Sequence, residues 1–330
     1  MATADQVKAL VNSHGDGDDS RFYSVALQVA AKAARSGQTT FAQELRDLVD
    51  ARRRAQVGAS RGSGTPVPVA RPRGELAELL TVGYPETGLA DLALAPDVRE
   101  RIDRVVLEQR QQDRLRAHGF EPMRRLLLTG PPGTGKTMTA RALAGELRLP
   151  LFTVRLDGLI TKLMGETAAK LRLIFDSVAE TRGVYLFDEV DALAGERALG
   201  NDVGEIRRVL NSFLQFLEQH ESQSLLVAAS NHPQLLDRAL FRRFDLVVEY
   251  PLPTPNVVRT VISNRLASMV PPRWPWKAVE QAANGLSQAE ITVACEFAAK
   301  AAILAGETTA SSTAVIAALR DRHRSGDGND

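Results

Sequence analysis

At 330 residues with 44% hydrophobic side chains, the chain has room for two or three domains with substantial cores. Its single cysteine, Cys295, excludes an intrachain disulfide framework and a cysteine-paired metal site. A net charge of +1 points to neither nucleic acid nor membrane; no apolar run approaches a membrane span, and the first residues lack the regions of a signal peptide, so a cytoplasmic location is expected.

Residues 1–55 read as a small helical module. Thr3 caps a helix carrying Val7, Leu10 and Val11, and Ser20 caps one whose inner face holds Phe22, Val25, Ala26 and Val29. Thr40 and Gln43 form a capping box for a third, bearing Phe41, Leu45 and Leu48. The acidic run from Gly15 to Asp19 has Leu27 where a calcium loop needs its closing glutamate, and so reads as a solvated turn. A module this small is expected to lean on a partner or a neighbouring subunit. Residues 56–75 form a flexible basic linker: between Arg52 and Arg73 there are six arginines and no acid, set among Gly, Ser, Thr and Pro. The absence of interleaved aromatics favours a solvated tether over a nucleic-acid contact.

Across 76–252 strands and helices alternate, the pattern of an α/β domain with a parallel sheet and ligands at the carboxyl ends of its strands. The apolar run Leu126–Leu128 leads into Gly130, Pro131, Pro132, Gly133, Thr134, Gly135, Lys136 and Thr137, and a helix-forming stretch follows from Met138 to Leu147. A Gly-rich turn between a buried strand and a helix points successive N–H groups at a polyphosphate, and the helix N-terminus adds positive partial charge. Lys136 reaches the outer phosphates, and the Thr137 hydroxyl completes the coordination of a Mg²⁺ that bridges them.

Further strands are expected at Leu151–Val154, Val184–Phe187, Leu225–Ala229 and Leu246–Glu249, with helices around Lys170–Phe175 and from Ile206 to Leu217. The strand Val184–Phe187 ends in Asp188, Glu189, Val190 and Asp191, acids that emerge into the ligand crevice. Asp188 holds the Mg²⁺, directly or through water, and Glu189 polarises the water that attacks the γ-phosphorus. At the end of the next strand Asn231 orients that water or touches the γ-phosphate, or simply starts the turn before Pro233. Arg242 and Arg243 stand side by side before the last strand, either as a solvated or salt-bridged face or as groups reaching into a neighbouring subunit's site. Residues 253–322 are helical only, with helices at Asn256–Ala267, Gln288–Leu304 and Ser312–Leu319 forming a lid, and 323–330 make a tail.

With these pieces in order, the chain resembles the AAA+ superfamily and, within it, the AAA proteins proper, over Leu79 to Leu319. The resemblance rests on the phosphate loop, the Asp188–Glu189 pair, Asn231 as first sensor, and Asp237–Asp245 as the second region of homology. Gly285–Ile291 is similar to the start of the family's lid helix, with Ala289 and no arginine, as in AAA proteins proper. It implies an αβα sandwich on a five-stranded parallel sheet with a helical lid. It further implies an ATP hydrolase that forms a homo-oligomeric ring, usually a hexamer, with ATP between subunits. Nucleotide contacts then fall on Pro132 to Met138, Asp188, Gly285 and Ala289, and Arg242 and Arg243 act in trans as arginine fingers. The adjacent arginines are similar to the pattern in severing and ESCRT-disassembling AAA proteins.

Thr161–Thr167 matches the family's first pore loop, with Leu163 in place of the usual aromatic and Met164 after it. An apolar, adaptable pair still packs against an extended chain. Residues 195–204 align with the second pore loop, and Arg207 and Arg208 lie on the following helix. The patterns at Asp18–Ala31, Leu159–Lys162 and Gly200–Glu218 also resemble a narrower bacterial group of AAA ATPases paired with a subtilisin-like serine protease in plasmid-incompatibility or phage-defence systems. The chain itself carries no convincing protease triad, since Ser230 and Ser287 fall in ATPase elements, so proteolysis requires another polypeptide. The favoured expectation is a ring that remodels or threads proteins. A nucleic-acid-directed loader is disfavoured by the near-neutral charge and the missing second-sensor arginine. An ATP-assembled scaffold without translocation stays open because the pore aromatic is missing.

Overall fold

A six-stranded sheet in the order β1-β3-β4-β5-β2-β6 organises the molecule. The computed structural model describes residues 72, 74–156, 166–193, 203–219, 222–270 and 274–326, all within the unit 69–330. The expected N-terminal helices, nearly all of the linker, Leu163, Met164 and residues 195–202 lie outside the described residues.

The strands are β1 (Leu80–Gly83), β2 (Arg125–Thr129), β3 (Leu151–Val154), β4 (Val184–Phe187), β5 (Leu225–Ser230) and β6 (Leu246–Glu249). Around them lie α1 (Leu76–Leu79), α2 (Pro96–Arg110), α3 (Gln112–Ala117), α4 (Lys136–Leu147), α5 (Glu166–Glu180), α6 (Val203–Gln219) and α7 (Arg238–Phe241). The expected five-stranded parallel sheet needs correction, because the sheet is mixed. Strands β2 to β6 run parallel, and β1 pairs antiparallel with β3, Leu80 opposite Val154 and Gly83 opposite Leu151. Strand β1 is a short edge strand with only Leu80 buried, so it prints neither an apolar run nor a clear alternation in the sequence.

The central strands are buried on both faces. Leu127, Phe152, Tyr185, Phe187 and Leu226 meet Ile174 and Val178 of α5 and Phe213 and Leu217 of α6. On the other face Leu126, Leu128, Leu186, Val227 and Val248 meet Val98, Ile102 and Val105 of α2 and Leu143 of α4. Phe152 and Tyr185 stack across adjacent strands with ring centroids 4.4 Å apart, and burial pushes the Tyr185 phenol up to about 12. Helices on both faces leave the carboxyl edge of the sheet as the open side.

The lid consists of α8 (Pro255–Leu266), α9 (Trp276–Ala283), α10 (Gln288–Leu304) and α11 (Ser312–Gly326). Helix α9 is an addition to the helices read from the sequence. Ile262, Val279, Ile291, Cys295, Val315 and Leu319 form the lid's own core, where burial pushes the Cys295 thiol up to about 12. Ala93 and Ala95, which precede α2, pack into this core and tie the lid to the sheet domain. No helix among the described residues is long and apolar enough to cross a membrane.

Candidate nucleotide site

The loop between β2 and α4 is shaped by steric necessity at two glycines. A Cβ on Gly130 (φ +136°) would stand 2.2 Å from the Tyr250 carbonyl oxygen, and one on Gly133 (φ +73°) would stand 2.7 Å from Ser287 Oγ. Gly130 therefore admits no side chain while the Tyr250 backbone stays in place, and a side chain at Gly133 would have to displace Ser287 and Ala289 of the lid. Tyr250 braces the loop from below: its N–H donates to the Thr129 carbonyl at 2.7 Å, and its hydroxyl donates to Thr139 Oγ1 at 2.9 Å.

Lys136, at the start of α4, is buried. Its Nζ donates to the carbonyls of Gly130 at 2.7 Å and Pro131 at 2.8 Å. Burial lowers the Lys136 pKa, against the opposing pull of Asp188 and Asp191. The Thr137 hydroxyl donates to Asp188 Oδ2 at 2.8 Å, bringing a hydroxyl and a carboxylate oxygen together beside the ammonium. The other Asp188 oxygen accepts the Glu189 N–H at 3.1 Å.

Glu189 has φ +55°, a conformation that costs a non-glycine residue on the order of 1 kcal/mol or more and recurs at functional sites. It places the carboxylate at the exposed cleft wall instead of along the strand. A single 3-10 turn, Val190–Leu193, follows, and Asp191 Oδ1 within it accepts the Asn231 N–H at 3.2 Å.

These groups face one open cleft of about 680 Å³, lined by Pro132, Gly133, Gly135, Lys136, Thr137 and Met138, and by Asp188, Glu189, Asn231 and Ala289. The volume suits a nucleoside triphosphate, and the wall opposite the phosphate loop is the strap Leu92–Leu94 with Val261 and Val293 of the lid. The lid meets the loop directly, the Ala289 N–H donating to the Gly133 carbonyl at 3.0 Å. Ser287 fixes that approach by capping α10 in a capping box with Glu290.

Four of the residues singled out in the sequence lie elsewhere. Thr134 is buried and turns its hydroxyl back to the Pro131 carbonyl at 2.8 Å. Gly285 (φ +90°) forms the turn before Ser287 and does not line the cleft. Arg242 is exposed and Arg243 is engaged in its own protomer; neither lines the cleft. Arg243 Nη1 donates to the Ala239 carbonyl at 3.1 Å, and its Nε lies 2.9 Å from Glu218 Oε1, too bent for a hydrogen bond and so an ion pair. Asp245, by contrast, clamps β2, accepting both backbone and side-chain N–H groups of Arg125.

Sequence reasoning missed the strap Leu92–Leu94, Asn264 and Thr292 of the lid wall, and the link from Asp191 to Asn231. The strap is irregular backbone with no motif. Thr292 carries a signal in hindsight, lying one helical turn after Gln288 on the same face of α10.

A mainly parallel sheet with a phosphate loop after β2, acids at the end of β4 and a helical lid over the cleft defines a P-loop nucleotide hydrolase. The sequence pattern of the ATPase family associated with various cellular activities (AAA) matches residues 126–252. The uncharacterized AAA family ATPase y4kL of Sinorhizobium fredii is 33% identical over 325 residues, covering 98% of this chain and 96% of that protein. The proteasome-activating nucleotidase of Methanothermobacter thermautotrophicus is 34% identical over 202 residues, 59% of this chain and 48% of that one. An ATP-dependent zinc metalloprotease FtsH of Acidothermus cellulolyticus is 35% identical over 244 residues, 70% of this chain and 36% of that one. The chain thus spans less than half the length of these last two relatives. The crystal structure of the FIGL-1 AAA domain shares the fold, with a TM-score of 0.61 at 24% identity over 78% of this chain and 91% of that domain. The chain belongs to the AAA family of ATPases, and its activity is ATP hydrolysis.

Proposed function

We propose that the protein is a homo-oligomeric ring, of the hexameric kind, that spends ATP on remodelling or threading protein substrates. The observation that carries this reading is the division of the machinery: Lys136, Thr137, Asp188, Glu189 and Asn231 gather at one cleft, while Arg242 and Arg243 do not line it. Groups that serve a neighbouring protomer's nucleotide are expected to lie away from their own.

In the catalytic cycle the N–H groups of the loop and Lys136 bind the phosphates, Lys136 exchanging its two carbonyl partners for phosphate oxygens. Thr137 and Asp188 fit Mg²⁺, since their hydroxyl and carboxylate are hard oxygen donors already 2.8 Å apart. Mg²⁺ bound there neutralises charge on the phosphate oxygens. Glu189 orients the attacking water and takes its proton, and Asn231 holds the γ-phosphate side of the cleft. The segment Arg242–Arg243 brings a guanidinium to the charge that develops on the phosphoryl group of the adjacent protomer.

The names of two relatives, a proteasome-activating nucleotidase and an ATP-dependent zinc metalloprotease, couple ATP to protein breakdown and support a protein substrate. A separate subtilisin-like serine protease is the partner proposed, within a bacterial defence or incompatibility system in the cytoplasm. The motif resemblance at Asp18–Ala31, Leu159–Lys162 and Gly200–Glu218 is what supports that setting. Leu163 and Met164 are proposed as the gripping pair of the central channel.

Subunit mixing tests the ring. Lys136→Ala and Arg242→Ala/Arg243→Ala proteins, each inactive alone, should regain part of the ATPase rate when combined; no recovery at any ratio would rule out action in trans. Protein captured by Glu189→Gln in ATP tests the protease pairing, which fails if no serine protease is retained.

A further inference from the structure

Gln288 joins three walls of the cleft. It is the first residue of α10, and its Nε2 donates to the Ala93 carbonyl, 195 residues away in sequence, at 2.9 Å. Its Oε1 faces the phosphate loop, 3.9 Å from where a Cβ on Gly135 would stand. The next residue, Ala289, donates its N–H to Gly133. Ala93 is buried in the lid core, so the strap Leu92–Leu94 and the lid form one wall over the nucleotide space.

The orientation of Gln288 is not left to chance. Ser287 N and Oγ both lie 2.7 Å from Glu290 Oε2, and the Glu290 N–H donates back to Ser287 Oγ at 3.3 Å. This closed box fixes the first turn of α10, and with it the direction in which the Gln288 side chain leaves the helix. A nucleotide between this wall and the phosphate loop leaves when the wall opens, and opening it at the junction of strap and lid breaks the bond from Gln288 to Ala93.

We propose that Gln288 is a positioning residue that latches the lid helix to the Leu92–Leu94 strap and thereby sets the rate of nucleotide release. The inference rests on ATP binding and not on the ring or its substrates.

Stopped-flow release of a fluorescent ADP analogue from the full chain tests it. Gln288→Met keeps the volume and removes the donor, and release is expected to quicken about fivefold, the worth of one partly buried hydrogen bond, with KM for ATP rising in parallel. Gln288→Gly, a second variant in case methionine packs badly, is expected to release at least as fast. Release within about 1.5-fold of the parent in both variants would overturn the latch while leaving ATP binding intact. A lowered melting temperature in both with release unchanged would likewise overturn it, assigning Gln288 to lid packing alone. A parent that holds no ADP would remove the latch and the nucleotide site together.

Discussion

The Asn231 N–H donates to Asp191 Oδ1 at 3.2 Å, joining the ends of β5 and β4. Asp191 lies in the 3-10 turn that begins directly after Glu189, and the Ala192 N–H of that turn donates to the Glu189 carbonyl at 2.8 Å. One carboxylate therefore sets the spacing between the residue proposed to polarise water and the residue proposed to face the γ-phosphate. Deleting it leaves a half-buried N–H without its partner, at a cost of about 1–3 kcal/mol that a small shift of either strand end can relieve. Asp191→Ala is expected to lower kcat about tenfold, whereas Asp191→Asn keeps an acceptor oxygen and should recover most of that loss. Equal losses in the two variants, measured by steady-state turnover, would assign the effect to the Asp191 charge near Lys136 instead.

Glu189, the carboxylate proposed to orient the attacking water, sits on a left-handed backbone, φ +55°. Glycine adopts that conformation without strain, so Glu189→Gly is expected to raise stability by about 1 kcal/mol while abolishing hydrolysis. Glu189→Gln keeps the backbone and should retain ATP with turnover reduced at least about 100-fold. Thermal unfolding beside ATPase assays separates the two effects, and a glycine variant less stable than the parent would show that the Glu189 backbone is not strained.

The parts legible in the sequence are those whose partners are local or whose burial is complete. Strands β2, β4 and β5 are sealed on both faces and print as continuous apolar runs, and the polar residues at their ends, from Gly130 to Thr137, Asp188 and Asn231, mark the carboxyl edge. Strand β1 escaped notice because an edge strand needs few buried side chains. The strap wall escaped because its bond to Gln288 spans 195 residues, and no local pattern encodes such a contact. Asp191 was visible as an acid, but its partner lies 40 residues downstream. The family motif implies a nucleotide contact at Gly285, which does not line the cleft and whose φ of +90° forms the turn before Ser287.

Arg243 and Arg242 are adjacent in sequence yet differ in attachment. Arg243 is held by Glu218 and the Ala239 carbonyl, with about a quarter of its side chain exposed (28%); Arg242 is exposed and has no side-chain partner among the described residues. We infer that, of the two proposed fingers, Arg242 is the one that reaches the neighbouring protomer, while Arg243 anchors the segment that carries it. Arg242→Ala is expected to cost about 10³-fold in turnover. Arg243→Glu alone should be damaging, but combined with Glu218→Arg it should recover to within about threefold of the parent, because an ion pair functions in either direction. A double variant as inactive as Arg243→Glu would place the Arg243 guanidinium at the phosphate itself.

At Gly130 the phosphate loop comes up against Tyr250, the residue that follows β6. A methyl group there would stand 2.2 Å from the Tyr250 carbonyl oxygen and 3.0 Å from its carbon, backbone atoms that no rotamer change can move. Tyr250 cannot yield, since its N–H is bound to Thr129, its hydroxyl to Thr139, and its ring is buried in the core under the loop. Gly130→Ala is therefore expected to destabilise the domain by about 3 kcal/mol or more and to abolish nucleotide binding. Gly119 supplies the control: it also has positive φ, +80°, but nothing lies within 4 Å of its added Cβ. Alanine there should cost only the backbone term, about 1 kcal/mol, and leave ADP affinity near the parent value. Denaturant titration of the two variants separates steric closure from backbone strain, and similar losses in both would show that the contact between Gly130 and Tyr250 does not hold the loop in shape.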